Sequence, residues 1–158
     1  YFARLYDQNP NLEISNDTIY SHLMNYGLTQ EEIRDKDIRF NFDKWIEFFR
    51  NKNNINVFHS DMQTRFLQFR NAKNLSAKCV KLYFSLPKSK IFGGVNKIFS
   101  FVAGNNMSTH SKVADRIRSD SIVIRLNDAA DALSVIDYIN NDIELISSSK
   151  KTNPFLEL

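Results

Sequence analysis

The sequence predicts an α+β domain, and three observations support that class. Apolar residues recur at helical spacing over residues 16–50, they alternate with polar residues over 80–86, and helical and alternating segments interchange from there to residue 146. A chain of 158 residues with 42% hydrophobic content can bury the core of one domain. We therefore divide it into a helical N-terminal part, residues 1–72, and a sheet unit, residues 73–158, which together form one compact domain.

Three helices are predicted in the N-terminal part. The first stops at Gly27, because glycine commonly ends a helix. The second opens with a capping box, in which Thr29 and Glu32 satisfy each other's backbone groups. The third is capped by Asn41 and carries an apolar stripe that we assign to the core. The stripe consists of Phe42, Trp45, Ile46 and Phe49.

The segment that follows allows two interpretations. Residues 51–56 are rich in Asn and are predicted to form a loop. Over residues 57–70, Met62, Phe66 and Phe69 fit a helical spacing, whereas the density of aromatic residues also suits a strand. The sequence leaves both alternatives open.

Alternating residues mark the start of the sheet unit. A half-buried strand over residues 80–86 ends at Pro87, and a helix follows over 89–102. Glycine destabilises a helix interior, so we attribute the Gly93-Gly94 pair in this helix to close approach of another segment. Two strands are predicted at 109–114 and 121–126, joined by a turn.

The C-terminal part is predicted to add a long helix and one more strand. Asn127 and Asp128 form the helix cap, and residues 143–146 form the short final strand. The helix is expected to turn four residues inward: Ala132, Leu133, Ile136 and Ile139.

The resulting order β-α-β-β-α-(β) is the split βαβ pattern of ferredoxin-like folds. Such a sheet buries one face under its helices and leaves the other uncovered. Strand alternation assigns these residues to the covered face: Val80, Leu82, Phe84, Val113, Ile122, Ile124 and Leu126. It assigns these to the uncovered face: Lys81, Tyr83, Ser85, His110, Lys112, Val123 and Arg125.

Charge is distributed unevenly along the chain. Residues 64–118 contain eleven Lys or Arg and one acidic residue, Asp115, whereas acidic residues outnumber basic ones on both sides of this segment. A cationic surface concentrates anions and steers them toward it. The segment therefore predicts an anionic partner, unless it is a basic face paired against the acidic flanks.

Other classes of function find little support in the sequence. GxGxxG, P-loop, HExxH and CxxC motifs are absent, so no cofactor and no metal are expected. Glycines and polar residues break the longest apolar stretch, residues 91–104, and no membrane association is expected. The single cysteine, Cys79, suits a reducing compartment and hence a cytoplasmic location. Oligomeric state is left open.

The cations expected on and beside the uncovered face make chemical sense as a phosphate site. The guanidinium of Arg holds phosphate oxygens in pairs, and Lys adds a point charge. Crowded cations also lower the pKa of a lysine, which can then accept a proton while Tyr83 or His110 donates one. The alternative is a non-catalytic basic module that binds RNA, through backbone charge and stacking on Tyr83, or an acidic protein partner.

Part of the sheet unit resembles a known family. The matching segments are Lys81-Leu-Tyr-Phe-Ser-Leu86, Lys112-Val-Ala-Asp115, Arg118-Ser-Asp120 and Ile122-Val-Ile-Arg-Leu126. They are similar to the HopA class of bacterial type III effectors, with relatives in lanthipeptide biosynthesis, and to the effector phosphothreonine lyases. The resemblance covers residues 78–126.

The resemblance implies an activity and a set of roles. The lyases eliminate phosphate from phosphothreonine without water or metal, which implies a phosphoserine or phosphothreonine peptide as partner and secretion into a host cell as a second location. Lys112 would match the base, Lys81 the lysine that contacts phosphate, and Tyr83 the position of the acid. We take these three as candidate catalytic residues. The candidate phosphate-binding residues are Arg116, Arg118, Arg125 and His110.

Overall fold

Helices and strands alternate through the described part of the chain, which in this computed structural model comprises residues 16–35, 38–50, 56–59, 65–71 and 75–150. The helices are α1 (Asn16–Met24), α2 (Gln30–Arg34), α3 (Phe42–Arg50), α4 (Lys88–Gly104), α5 (Ala129–Asn141) and α6 (Ile143–Ser148). The strands are β1 (Asn56–His59), β2 (Phe66–Arg70), β3 (Val80–Phe84), β4 (His110–Ala114) and β5 (Ile122–Leu126).

The N-terminal helices begin and end where local signals place them. Gly27 follows α1 with a φ of 73°, a left-handed conformation that glycine adopts without strain. The backbone N–H of Glu32 donates to Thr29 Oγ1 at 3.2 Å while the Thr29 N–H donates to Glu32 Oε2 at 3.0 Å, so the predicted capping box is confirmed. At α3, the Lys44 N–H donates to Asn41 Oδ1 at 3.2 Å.

The five strands form one antiparallel sheet in the order β1-β2-β4-β5-β3. Within it, β3-α4-β4-β5-α5 has the connectivity and strand order of a ferredoxin-like unit, which confirms the predicted α+β class. For residues 57–70 the strand interpretation is correct in the described portions, since β1 and β2 extend the sheet beyond β4. The part interpreted as helical, residues 1–72, therefore contributes two strands to the same sheet.

One side of the sheet packs against helices and forms the core. Phe69 on β2 stacks on Phe99 of α4, with ring centroids 4.1 Å apart, and Phe49 of α3 packs edge-on against Phe69 at 5.2 Å. Gly94 on α4 contacts the Leu86 and Leu145 side chains, where any Cβ would collide with Leu86, so close approach explains this glycine. For Gly93 the prediction is wrong, because no described atom lies within 4 Å of where its Cβ would be. N-terminal and C-terminal helices thus share a single apolar core.

Two expectations about the C-terminal helices are wrong. Residues 143–146 belong to helix α6, because Asp142 caps it by accepting from the Leu145 N–H at 3.0 Å. In α5, Leu133 and Ile136 are 60% and 36% exposed, because the buried stripe of this helix runs through Val135. The residues of α5 that are buried are Ala132, Val135 and Ile139.

Ser85 is also placed differently from the prediction. It lies beyond the end of β3 and is fully buried, and its hydroxyl donates to the backbone carbonyl of Arg118 at 3.1 Å. Ser85 therefore ties β3 to the loop between β4 and β5 and does not line an open surface.

Candidate anion-binding face

Strand register brings the predicted lysines to one face of the sheet. Lys81 lies directly opposite Arg125, and Val123 lies between Tyr83 and Lys112 in the neighbouring cross-strand row. Directly opposed residues of an antiparallel pair point to the same face. Lys81, Tyr83, Lys112 and Arg125 therefore share the face opposite the buried Ile122 and Ile124. We call this the outer face.

The outer face carries a continuous row of basic side chains across four strands. Arg70 on β2 lies opposite His110 on β4. The register of β4 and β5 places His110 opposite Arg125, and Arg125 lies opposite Lys81 on β3. Neighbouring strands are about 4.8 Å apart, so the row spans about 14 Å. Like charges directly opposite one another destabilise a sheet. An anion bound on this row would relieve that repulsion.

The outer-face cations have no carboxylate partner in the described ranges. Arg70, Lys81, Lys112 and Arg125 form neither an ion pair nor a side-chain hydrogen bond with any described residue. Arg125 Nε is fully buried without an acceptor, and no other side-chain nitrogen or oxygen described here shares that condition. An unpartnered buried donor costs free energy. Arg125 therefore contributes an unsatisfied buried donor to this face.

Lys112 occupies the middle of this arrangement. Its ammonium lies over the ring of Phe66 from the adjacent strand, 4.2 Å from the centroid. Burial lowers the pKa of Lys112, and Arg125, Arg118 and Lys81 lower it further. Asp120 acts in the opposite direction but does not cancel these effects. Lys112 thus releases its proton more readily than an exposed lysine does.

His110 is held within the cationic row. Its Nε2 and Gln68 Oε1 are 2.8 Å apart, in hydrogen-bond contact across β2 and β4. Burial lowers the pKa of His110, and Arg70 and Arg125 lower it further. The imidazole is therefore biased toward its neutral form.

Arg118, on the loop between β4 and β5, is largely committed to protein groups. Its Nε donates to Asp120 Oδ1 at 2.6 Å, and one Nη donates to Asp120 Oδ2 at 3.2 Å and to the Tyr20 hydroxyl at 2.9 Å. Its Cζ also lies 5.3 Å from the Phe66 centroid. Burial opposes the charge, but Asp120 outweighs it and raises the pKa of Arg118. A phosphate would have to share Arg118 with Asp120.

Arg116 has a carboxylate partner of its own. Its Nε lies 3.3 Å from Asp115 Oδ1, and Asp115 Oδ2 in turn lies 3.4 Å from Arg39 Nε. Arg116 is not among the charged groups that shift the pKa of Lys112. Arg116 is thus paired with Asp115, and Arg125, Arg118 and Lys81 are the cations that act on Lys112.

Tyr83 lies in the same row as Lys112 but two strands away. Strand β5 lies between β3 and β4, so the axes of β3 and β4 are about 10 Å apart, twice the spacing of neighbouring strands. Val123 of β5 is buried between the two side chains. A ligand that contacts both side chains must therefore bridge β5.

Sequence reasoning missed four contributors: Phe66, Gln68, Arg70 and Asp120. A signal for the first three was present, because Leu67 and Phe69 alternate with them and are fully buried. Asp120 was visible only as part of the Arg118-Ser-Asp120 segment. Its pairing depends on the loop conformation, which residue spacing does not specify.

A cleft of about 440 Å³ lies elsewhere, between α2 and the start of α4. Its lining includes Glu31, Glu32 and Asp35, and the last pairs with Lys88 at 3.5 Å. These carboxylates make it a poor site for a phosphate. In the described part of the chain, His, Cys, Asp and Glu side chains do not form a group of three or more that could hold a metal ion. None of the described helices has both the length and the apolar character of a membrane-spanning segment.

The fold and the outer face define an α+β domain with a basic sheet surface. Comparison with protein-family models, curated proteins and solved structures finds no match to this chain. Arguments about function therefore depend on the geometry of the face itself.

Proposed function

We propose that this protein binds a phosphorylated serine or threonine side chain of a peptide on the outer face and eliminates the phosphate. One observation carries the proposal: adjacent strands bring unpaired cations together on one face, with Lys81 directly opposite Arg125. A phosphate monoester carries nearly two negative charges at neutral pH and three acceptor oxygens. It would offset the repulsion between these cations more fully than a carboxylate could.

Binding is assigned to Lys81 and Arg125. Lys81 supplies a point charge, and Arg125 supplies a guanidinium fork on the strand between Lys81 and Lys112. Lys81 is exposed while Lys112 and Arg125 are half-buried, so the ligand approaches from the Lys81 side and its phosphate comes to rest where solvent is scarce. Charge-assisted hydrogen bonds are stronger in such surroundings.

Elimination is assigned to Lys112. As a neutral amine it takes the α-proton of the phosphorylated residue, the electron pair forms the Cα–Cβ double bond, and the Cβ–O bond breaks to release phosphate. The lowered pKa of Lys112 supports this role, because only the unprotonated amine can act as base. Tyr83 supplies a proton to the leaving group, because His110 is biased toward its neutral form.

A phosphothreonine peptide and its unphosphorylated twin test the proposal. Wild-type protein should bind the phosphopeptide and convert it to a product lighter by the mass of phosphoric acid, detected by mass spectrometry. Lys112→Ala should abolish conversion, whereas Lys44→Ala, which removes an exposed lysine of α3, should not change it. Binding without conversion would refute the lyase activity, and equal affinity for both peptides would refute phosphopeptide recognition.

The salt dependence of binding distinguishes this ligand from RNA. Neutralising many backbone phosphates makes affinity fall steeply and log-linearly with salt concentration, whereas one phosphate group gives a shallow slope. A single-stranded RNA oligonucleotide that displaces the phosphopeptide with a steep slope would favour the non-catalytic RNA-binding alternative.

A further inference from the structure

The loop between β4 and β5 brings a carboxylate into the cationic site. Asp120 is 9% exposed and binds Arg118 through both of its oxygens, at 2.6 and 3.2 Å. A carboxylate that meets a guanidinium in this paired geometry uses the same donors that a phosphate would use. Asp120 therefore occupies the fork of Arg118.

The loop holds this pair in a fixed position. The Ser119 N–H donates to the Met24 carbonyl at 2.9 Å and its hydroxyl donates to the Leu23 carbonyl at 2.7 Å, so α1 anchors the loop. The Arg118 N–H donates to Ser121 Oγ at 2.9 Å. These hydrogen bonds fix the backbone of the loop and so hold Asp120 and Arg118 together.

The same carboxylate also acts on the charge of the lysine at the centre of the site. Among the described charged groups that act on Lys112, the cations are Arg125 from β5, Lys81 from β3 and Arg118 from the loop, and Asp120 is the one anion. Phe66 of β2 contributes no charge, although both Lys112 and Arg118 lie against its ring. Asp120 is therefore the internal counter-charge of the site.

We propose that Asp120 is a positioning residue that acts as an internal anion: it holds Arg118 by the donors a ligand phosphate would use, limits the affinity of the site for anions and is a counter-charge to Lys112. This inference deepens the proposed function, on which it rests for the identity of the ligand. Its consequence for inorganic phosphate can be measured separately. Asparagine at this position keeps one acceptor for Arg118 and removes the charge.

Inorganic phosphate binding by Asp120→Asn tests the proposal, measured by titration calorimetry at constant ionic strength. We expect the dissociation constant to fall by at least about threefold, in the range of one surface charge interaction. Asp137→Asn removes an exposed carboxylate of α5 and is the control for net charge. An affinity for Asp120→Asn no greater than that of the control would overturn the proposal.

The protonation of Lys112 provides a readout that a purely structural role would not change. The rate at which an amine-specific reagent acylates Lys112, followed by mass spectrometry over pH, reports its neutral fraction. Asp120→Asn should shift this profile to lower pH, and Asp120→Glu should restore the wild-type profile. An unshifted profile in Asp120→Asn would contradict the proposed effect on Lys112.

Carbon-detected NMR of the wild-type carboxylates covers the case in which Asp120→Asn does not fold. Added phosphate should shift the Asp120 carboxyl resonance as the ligand competes for Arg118, and an unmoved resonance at saturating phosphate would overturn the proposal. Wild-type protein that binds phosphate but not the phosphopeptide would remove the proposed peptide ligand and leave the role of Asp120 in anion binding intact.

Discussion

Two regions of this protein treat their lysines in opposite ways. Where α4 meets α6, Lys97 lies 2.8 Å from Asp142 and 3.0 Å from Glu144, and Lys90 lies 3.1 Å from Glu144. On the outer face, Lys81 and Lys112 have no carboxylate partner among the described residues. The ion pairs raise the pKa of Lys97, whereas burial and neighbouring cations lower that of Lys112.

The difference shows that the two groups of cations serve different ends. Ion pairs on helices satisfy their own charges and contribute modestly to stability. The outer-face charges remain unsatisfied on a sheet whose opposite side is fully packed, so the sheet must be stable enough to tolerate the repulsion. Stability should therefore come from the helix-covered side and binding from the outer face, and substitutions can test that division.

The largest effect on stability is expected on the covered side of the sheet. Phe69 is fully buried and stacked on Phe99 at 4.1 Å. Phe69→Ala should lower the free energy of unfolding by about 3–5 kcal/mol through lost burial and a cavity. Urea denaturation measures this change, and a loss below about 1 kcal/mol would show that the core does not depend on this contact.

A charge reversal on the outer face should separate stability from binding. Lys81→Glu replaces a like-charge pair with an opposite-charge pair across from Arg125, which should raise the free energy of unfolding by about 0.2–1 kcal/mol. The same change should weaken phosphopeptide binding. Lys97→Glu is the matched control and should lower stability, since it faces Asp142 and Glu144. Destabilisation by Lys81→Glu would contradict the view that this face is strained by its charge.

A smaller effect concerns pH and His110. Because the pKa of His110 is lowered on folding, the unfolded chain binds its proton at a higher pH than the folded protein does. The stability contributed by neutral His110 should be present above pH 6.5 and fall as the pH drops through the window toward the folded-state pKa. Denaturation of His110→Gln between pH 7 and 5, compared with wild type, should show a weaker dependence.

The smallest effect is expected at the exposed ion pairs of α4 and α6. Lys97 lowers the pKa of both Asp142 and Glu144, so their contribution to stability is present above the unfolded values of 3.8 and 4.5 and is lost as pH falls through the folded values. Lys97→Met should reduce this loss below pH 5, measured by thermal denaturation. Equal acid sensitivity in both proteins would show that the pairs are energetically silent.

Local signals predicted most of the architecture. The capping box at Thr29, the alternation around Leu82 and the cap at Asp128 each depend on neighbours within four residues, and each was correctly interpreted. The apolar residues over 143–146 fit both the period of a strand and that of a helix, and the N-cap by Asp142 favours the helix. In α5, Leu133 and Ile136 were assigned to the inward stripe in place of Val135, because the stripe depends on what packs against the helix.

The outer face was predictable in part for the same reason. Alternation located Lys81, Lys112 and Arg125 on one side, since period-two patterns define faces without knowledge of strand order. Strand order, which depends on the whole chain, was needed to find Arg70 in the same row. The engagement of Arg118 by Asp120 and Tyr20 depends on a loop and a distant helix, which no local pattern specifies.

The strands that carry the two lysines of the outer face are not held equally firmly in the sheet. Among the described strands, β4, which carries Lys112, has a neighbour on both sides, whereas β3, which carries Lys81, lies at the edge and pairs with β5 alone. Edge strands separate more readily in sub-global opening, and their amides exchange with solvent sooner. Brief fraying of β3 would withdraw Lys81 while Lys112 stays in place on β4. A bound ligand would then keep its contact with β4 and repeatedly lose and regain its contact with β3.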